Sequence, residues 1–83
     1  MDAQVRQFLA ENFPLGEDPD QLPAEASLLE AGIIDSTGVV ELVDFIESTY
    51  GIRVEDEELV PENLDSIRNI VAFVERKRAA ATA

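Results

Sequence analysis

The chain has 83 residues, with 18 acidic and 6 basic side chains, a net charge of −12, and neither Cys nor His. That length suits one small domain over residues 1–83, in which about 60% of the unfolded surface is buried around a simple core. Without thiols or imidazoles there is no disulfide framework, no thiolate site, and neither the commonest general base nor the commonest metal ligand, so an enzyme and a metal site are both disfavoured.

Val5, Phe8, Leu9 and Phe13 fall close to one helical stripe with polar residues between them, which predicts a first helix over residues 3–13. Pro14 follows, and Leu15 to Ser27 holds Gly16, Pro19, Pro23 and four acids without a sustained period, the pattern of a long loop. Such a loop in a small domain fits a helix bundle whose chain crosses back to a neighbouring corner. Leu28, Leu29, Ile33 and Ile34 are expected to pin the loop to the core, with Gly32 supplying backbone freedom.

Val39, Leu42, Val43, Ile46 and Tyr50 form the strongest helical stripe in the chain, and Gly51 suits a left-handed stop just beyond it. Val40, Glu41, Asp44 and Glu47 lie off that stripe, with the three carboxylates on one expected exposed side. That side is either a solvated face or a docking face for Lys and Arg. Glu55 to Leu59 predicts one or two helical turns ending near Pro61. Asp65 or Ser66 then caps a last helix with the stripe Ile67, Ile70, Val71 and Val74, widened by Phe73.

Arg76, Lys77 and Arg78 suit the negative end of that helix, and residues 79–83 are expected to form a frayed tail. No alternation of period two is long enough for a sheet. The expected fold is therefore all-α: a small irregular four-helix bundle with a long loop between helices one and two and a short third helix.

Residues 1–75 contain three basic side chains against all 18 acids. Such a surface repels nucleic acid and anionic lipid headgroups and suits partners with basic docking surfaces, although acid excess also serves solubility. No apolar stretch approaches the roughly 18 residues needed to span a bilayer. Nor does the start Met1-Asp2-Ala3-Gln4 carry a basic segment followed by an apolar one, so a cytoplasmic monomer away from membranes is expected. An Asp-x-Asp-x-Asp-Gly calcium loop is also missing from the sequence.

Asp35-Ser36 and Asp65-Ser66 both open helical patterns, and Asp and Ser are ordinary N-cap residues. A serine in a first helical turn also sits at the positive end of the macrodipole, where a phosphate diester is favoured. The dipeptide alone does not separate the two roles. Its surroundings do: Leu28 to Ile52 reads LLEAGIIDSTGVVELVDFIESTYGI, a Gly-x-x-Asp-Ser turn, a helix with Val-Glu-Leu, then Glu, an aromatic residue and Gly-Ile. This stretch resembles the attachment region of acyl and peptidyl carrier proteins, and no such frame surrounds Ser66.

The resemblance implies that Ser36 is esterified by 4′-phosphopantetheine, whose thiol holds an acyl or aminoacyl cargo as a thioester. Asp35 matches the aspartate before that serine, either capping the helix or orienting the hydroxyl. It further implies a partner-docking face made of Thr37, Val40, Glu41, Asp44 and Glu47. Val43, Ile46, Leu59, Leu64, Ile67 and Ile70 are candidates for a cargo pocket, though a bundle core uses the same residue types. The implied partners are a phosphopantetheinyl transferase, an adenylating acyl or aminoacyl ligase, and a downstream acyltransferase or synthase. They would serve fatty acid, polyketide or nonribosomal peptide biosynthesis.

Two positions depart from the family pattern: Thr37 replaces its usual Leu and Gly38 its usual acidic residue, both expected on the modification face. The departures suggest a specialised carrier. The competing reading is an unmodified acidic helical interaction module, which explains the charge and the stripes but leaves the Gly-x-x-Asp-Ser frame as coincidence.

Overall fold

The computed structural model describes residues 2–13 and 18–82; Pro14 to Glu17 of the expected loop, and Met1 and Ala83, lie outside the described residues. Four α-helices follow in order: α1 (Asp2–Asn12), α2 (Ser36–Tyr50), α3 (Pro61–Leu64) and α4 (Ile67–Thr82), with single 3₁₀ turns at Pro19–Gln21 and Asp56–Glu58. No strand occurs among the described residues. This is the all-α bundle with a long first connection and a short third helix that the patterning predicts.

α1 buries Val5 and Leu9, and its last turn is closed by the Phe13 amide donating to Leu9 O at 2.9 Å. α2 buries Gly38, Leu42 and Ile46, while α4 contributes Ile67, Ile70, Phe73 and Val74. Phe73 is therefore a central core residue and Val71 a half-buried edge one. Phe8 stacks on Phe45 at 4.3 Å between ring centroids, and Phe45 meets Tyr50 edge-on at 6.2 Å. The Tyr50 hydroxyl donates to Gln4 Oε1 at 2.7 Å, and burial raises its pKa above the usual phenol value.

The helix termini follow local chemistry. Asp35, in an extended conformation, caps α2 by accepting the Gly38 amide at 2.8 Å. Gly51 ends the helix at φ 65°, a left-handed conformation in which its amide reaches Glu47 O. Ser66 caps the start of α4, its Oγ accepting the Asn69 amide at 3.1 Å.

Asp65 has a different task, tying the long connection down. Its carboxylate accepts the Ser27 hydroxyl at 2.5 Å and the Leu29 amide at 2.9 Å, while its carbonyl accepts the Leu28 amide at 2.7 Å. The Arg68 amide donates to Ala24 O at 2.9 Å and Arg6 donates to Leu22 O at 2.5 Å, so both flanking helices hold the segment. Leu22, Leu28, Ile33 and Ile34 are buried beneath it, and Gly32 turns the chain at φ 71°. Leu29, expected among these anchors, is instead 42% exposed.

Three expectations need correction. The helix expected over Glu55 to Leu59 is only a 3₁₀ turn, and the short α-helix begins at Pro61, because proline suits the first helical position, where no amide hydrogen is needed. The frayed tail over 79–83 is helical through Thr82, as three successive alanines favour. Consequently Arg76, Lys77 and Arg78 do not lie in the last turn of α4 but act sideways. Arg76 donates to Asn63 Oδ1 at 3.0 Å, Lys77 pairs with Glu58 at 2.8 Å, and the Arg78 guanidinium lies 6.0 Å from the Tyr50 ring centroid.

Because Asp65 accepts both a hydroxyl and an amide from one loop, Asp65→Ala should cost about 2 kcal/mol. Ser66→Ala, which loses only a cap, should cost about 1 kcal/mol. Urea denaturation of the two variants beside the parent measures both.

Candidate functional site

Capping by Asp35 makes Ser36 the first residue of α2, with an exposed side chain. Asp35 Oδ1 already satisfies the Gly38 amide, so the serine hydroxyl is not the cap. Ser66 is the opposite case: it is 5% exposed and its oxygen holds the Asn69 amide. The two Asp-Ser pairs thus divide the roles differently. In the first the aspartate caps and the serine faces solvent, whereas in the second the serine caps and the aspartate binds a loop.

On one side of Ser36 lies an apolar cleft of about 360 Å³, lined by Leu29, Ile34, Val39 and Val40 against Leu59, Val60, Pro61 and Leu64. The exposed large apolar residues among those described are Leu29, Val40 and Leu59, and all three line this cleft. Isolated exposed apolar residues are ordinary, but their concentration at one concavity marks a binding surface. Phe13, Gly32, Ile33, Asp35, Thr37, Gly38 and Glu41 line a separate notch of about 270 Å³.

The comparisons with known proteins agree with this geometry. Residues 3–74 match the family model described as phosphopantetheine attachment site. The chain belongs to this carrier-protein family.

The carrier is 32% identical over 77 residues to an acyl carrier protein of Bdellovibrio bacteriovorus, covering 93% of this chain and 94% of the relative. It is also 35% identical over 80 residues to an anthracycline acyl carrier protein of Streptomyces peucetius, covering 95% and 93%. A solved acyl carrier protein structure from Thermotoga maritima superimposes with a TM-score of 0.73 at 26% identity, covering 95% of this chain and 87% of that one. Family members are non-enzymatic carriers that bear covalent 4′-phosphopantetheine and interact with phosphopantetheinyl transferases and biosynthetic enzymes.

The carrier's residues fit that group. An exposed hydroxyl stands at the positive end of a 15-residue helix, where a phosphodiester is stabilised, and an apolar cleft adjoins it. Of the residues expected to line a cargo pocket, Leu59 and Leu64 line this cleft, while Val43, Ile46, Ile67 and Ile70 do not. Ile46 lies about 15 Å along the helix from Ser36. With Ile67 and Ile70 it is fully buried in the central core, against which Val43 packs. The cleft draws instead on Leu29, Ile34, Val39 and Val40. The exposure of Leu29 is the signal that the sequence does not carry, because its apolar type places it among the anchors of the loop.

On the expected docking face, Thr37, Val40, Glu41 and Asp44 are exposed. Glu47 is turned inward, its carboxylate accepting the Val54 amide at 2.8 Å, because the chain reversing at Gly51 leaves that amide without a helical partner. Gly38 also differs from expectation: it is buried, not on the modification face. A Cβ there would stand 2.7 Å from the Phe13 ring and 2.8 Å from Ile34 Cγ1, so no acidic side chain fits.

The cleft wall over residues 59–64 hangs from Glu58. Glu58 Oε1 accepts the Glu55 amide at 2.9 Å and Lys77 Nζ at 2.8 Å, and its carbonyl accepts Asn63 Nδ2 at 2.9 Å. The Glu55 amide, followed by Lys77, lowers the Glu58 pKa below the usual 4.5. A depressed carboxylate contributes stability above its usual pKa and loses it as pH falls through the lowered value.

Two outcomes follow for this carrier. A carbon-13 titration should place Glu58 below the usual glutamate value; in Lys77→Met it should rise but stay depressed, because the Glu55 amide still donates. Gly38→Ala gains about 1 kcal/mol of helix propensity but overpacks at a cost of about 1–3 kcal/mol. Calorimetry should therefore show a lower melting temperature for Gly38→Ala.

Proposed function

We propose that Ser36 carries the 4′-phosphopantetheine and that cargo rests against the Leu29–Val40–Leu59 cleft while partner enzymes read Thr37, Val40, Glu41 and Asp44. The observation that carries this reading is the contrast between the two serines: Ser36 is exposed at the first position of α2, whereas Ser66 is buried and engaged as a cap. The group supplies a thiol on a flexible arm, to which cargo is joined as a thioester. In the attachment step the Ser36 oxygen bonds to the coenzyme A phosphorus that bears pantetheine. The phosphoanhydride bond breaks, adenosine 3′,5′-bisphosphate leaves, and the serine proton passes to a base of the transferase.

Asp35 holds the helix start in place, which fixes where the Ser36 oxygen points. Magnesium, where the transferase uses it, belongs to that enzyme. The carrier's own acids act at longer range, raising the encounter rate with basic partner surfaces more than the final affinity.

For the cargo, an acyl or aminoacyl group loaded by a separate adenylating ligase and passed to an acyltransferase or synthase fits the open, modest cleft. The Thr37 and Gly38 departures favour a specialised pathway, as does similarity to the carrier named for anthracyclines. An unmodified interaction module would leave the family match over residues 3–74 without a purpose.

Incubation with coenzyme A and a broad-specificity phosphopantetheinyl transferase should add one phosphopantetheine mass to the parent and to Ser66→Ala. Ser36→Ala should gain none. An increment retained in folded Ser36→Ala overturns the assignment. No increment on the folded parent favours the interaction module.

A further inference from the structure

The notch beside Ser36 contains a residue that the docking face on α2 does not include. Phe13 stands just past the end of α1, fixed by its amide on Leu9 O at 2.9 Å and by edge contact with Phe8 at 5.8 Å. Its half-buried ring reaches across to α2 and rests on Gly38, where any side chain would displace it. The absence of a Cβ at Gly38 is thus what brings an aromatic ring from α1 to within one turn of the modified position.

The composition of the notch points to one occupant. Phe13 and Ile33 give it apolar surface, Gly32 and Gly38 keep it open, and Asp35 and Glu41 add carboxylates; no basic residue lines it. An apolar ring flanked by carboxylates suits a guanidinium, which is planar and weakly hydrated, stacks on aromatic faces and donates paired hydrogen bonds to carboxylates. Lysine, a strongly hydrated point charge, gains less from the ring. Asp35 and Thr37 both line the notch and both adjoin Ser36 in sequence, so an active site that closes on the Ser36 hydroxyl covers it.

We propose that Phe13 is a specificity-determining contact for the transferase that modifies Ser36, receiving an arginine side chain whose charge is shared between Asp35 and Glu41. The proposal rests on the assignment of Ser36 as the attachment site. It extends the partner-reading surface from α2 onto the end of α1, and it gives Gly38 a role in recognition through the ring it admits.

The test measures KM and kcat for loading, together with the Kd of the transferase for the corresponding variants in a Ser36→Ala background, where no chemistry occurs. Phe13→Leu should raise KM and Kd about five-fold, the scale of one cation–ring contact, with kcat within about two-fold. Glu41→Gln should do likewise. The double variant should lose less than the product of the two effects, because one arginine serves both residues.

Phe8→Leu, which alters the same aromatic cluster outside the notch, should lower the melting temperature and leave Kd unchanged. Unchanged Kd in folded Phe13→Leu overturns the proposal, as does an equal loss in Phe8→Leu. An effect of Phe13→Leu with none of Glu41→Gln overturns the arginine and points to an apolar occupant. Loading present in the parent and lost in Ser36→Ala separates these failures from a failure of the Ser36 assignment, which would show as an unmodified parent or as loading retained in Ser36→Ala and would overturn both.

Discussion

The hydrogen bond from the Gly38 amide to Asp35 is the contact on which the functional geometry turns. By satisfying a helix-start donor with an aspartate, it places α2's first residue immediately afterwards and leaves that residue's side chain outside. Ser36 occupies the position. The same close start brings Gly38 against Phe13 and Ile34, so the first turn of α2 is clamped from below by packing as well as from its end by the cap. A serine held in this way has an exposed side chain on a backbone fixed by both the cap and the packing.

The rest of the bundle keeps that helix start between two concavities. Asp65 spans 36 residues to hold Leu29, and with it one lip of the apolar cleft. Glu58, Asn63, Arg76 and Lys77 fasten the opposite wall to α4. Both fastenings are polar and lie near the surface, while Leu42, Ile46, Ile67 and Ile70 close the interior beneath. The division of labour is physical: a sealed apolar core supplies stability, and hydrogen-bonded segments shape a surface where apolar residues remain exposed.

The three long helices and the Asp35-Ser36 turn were legible in the sequence because they rest on local rules. The α2 stripe, the Gly51 stop, the aspartate–serine start and the long first connection all follow from periodicity and helix-end chemistry over short spans. What escaped the sequence depends on contacts between distant segments. Asp65 and Ser66 are equally good caps by type, and only the approach of Ser27 and Leu29 assigns Asp65 to the loop. Glu47 belongs to an acidic side by spacing, yet the chain reversal at Gly51 offers it the Val54 amide. Gly38 looks like a lost acidic contact until Phe13, 25 residues earlier in the sequence, is found against it. The lining of the cleft beside Ser36 escaped in the same way, since periodicity identifies apolar faces but not which of their residues a neighbouring segment leaves open.

We propose that Ser36, and not Ser66, bears the phosphodiester. A proton–phosphorus correlation spectrum of the enzymatically modified carrier reads that bond directly, through coupling of the diester phosphorus to the β-protons of one serine. The account predicts a correlation to Ser36, with amide shifts confined to the first turns of α2 and the cleft wall over residues 59–64, and with the Asn69 amide unmoved. A correlation to Ser66, accompanied by loss of the Asn69 cap, would contradict it.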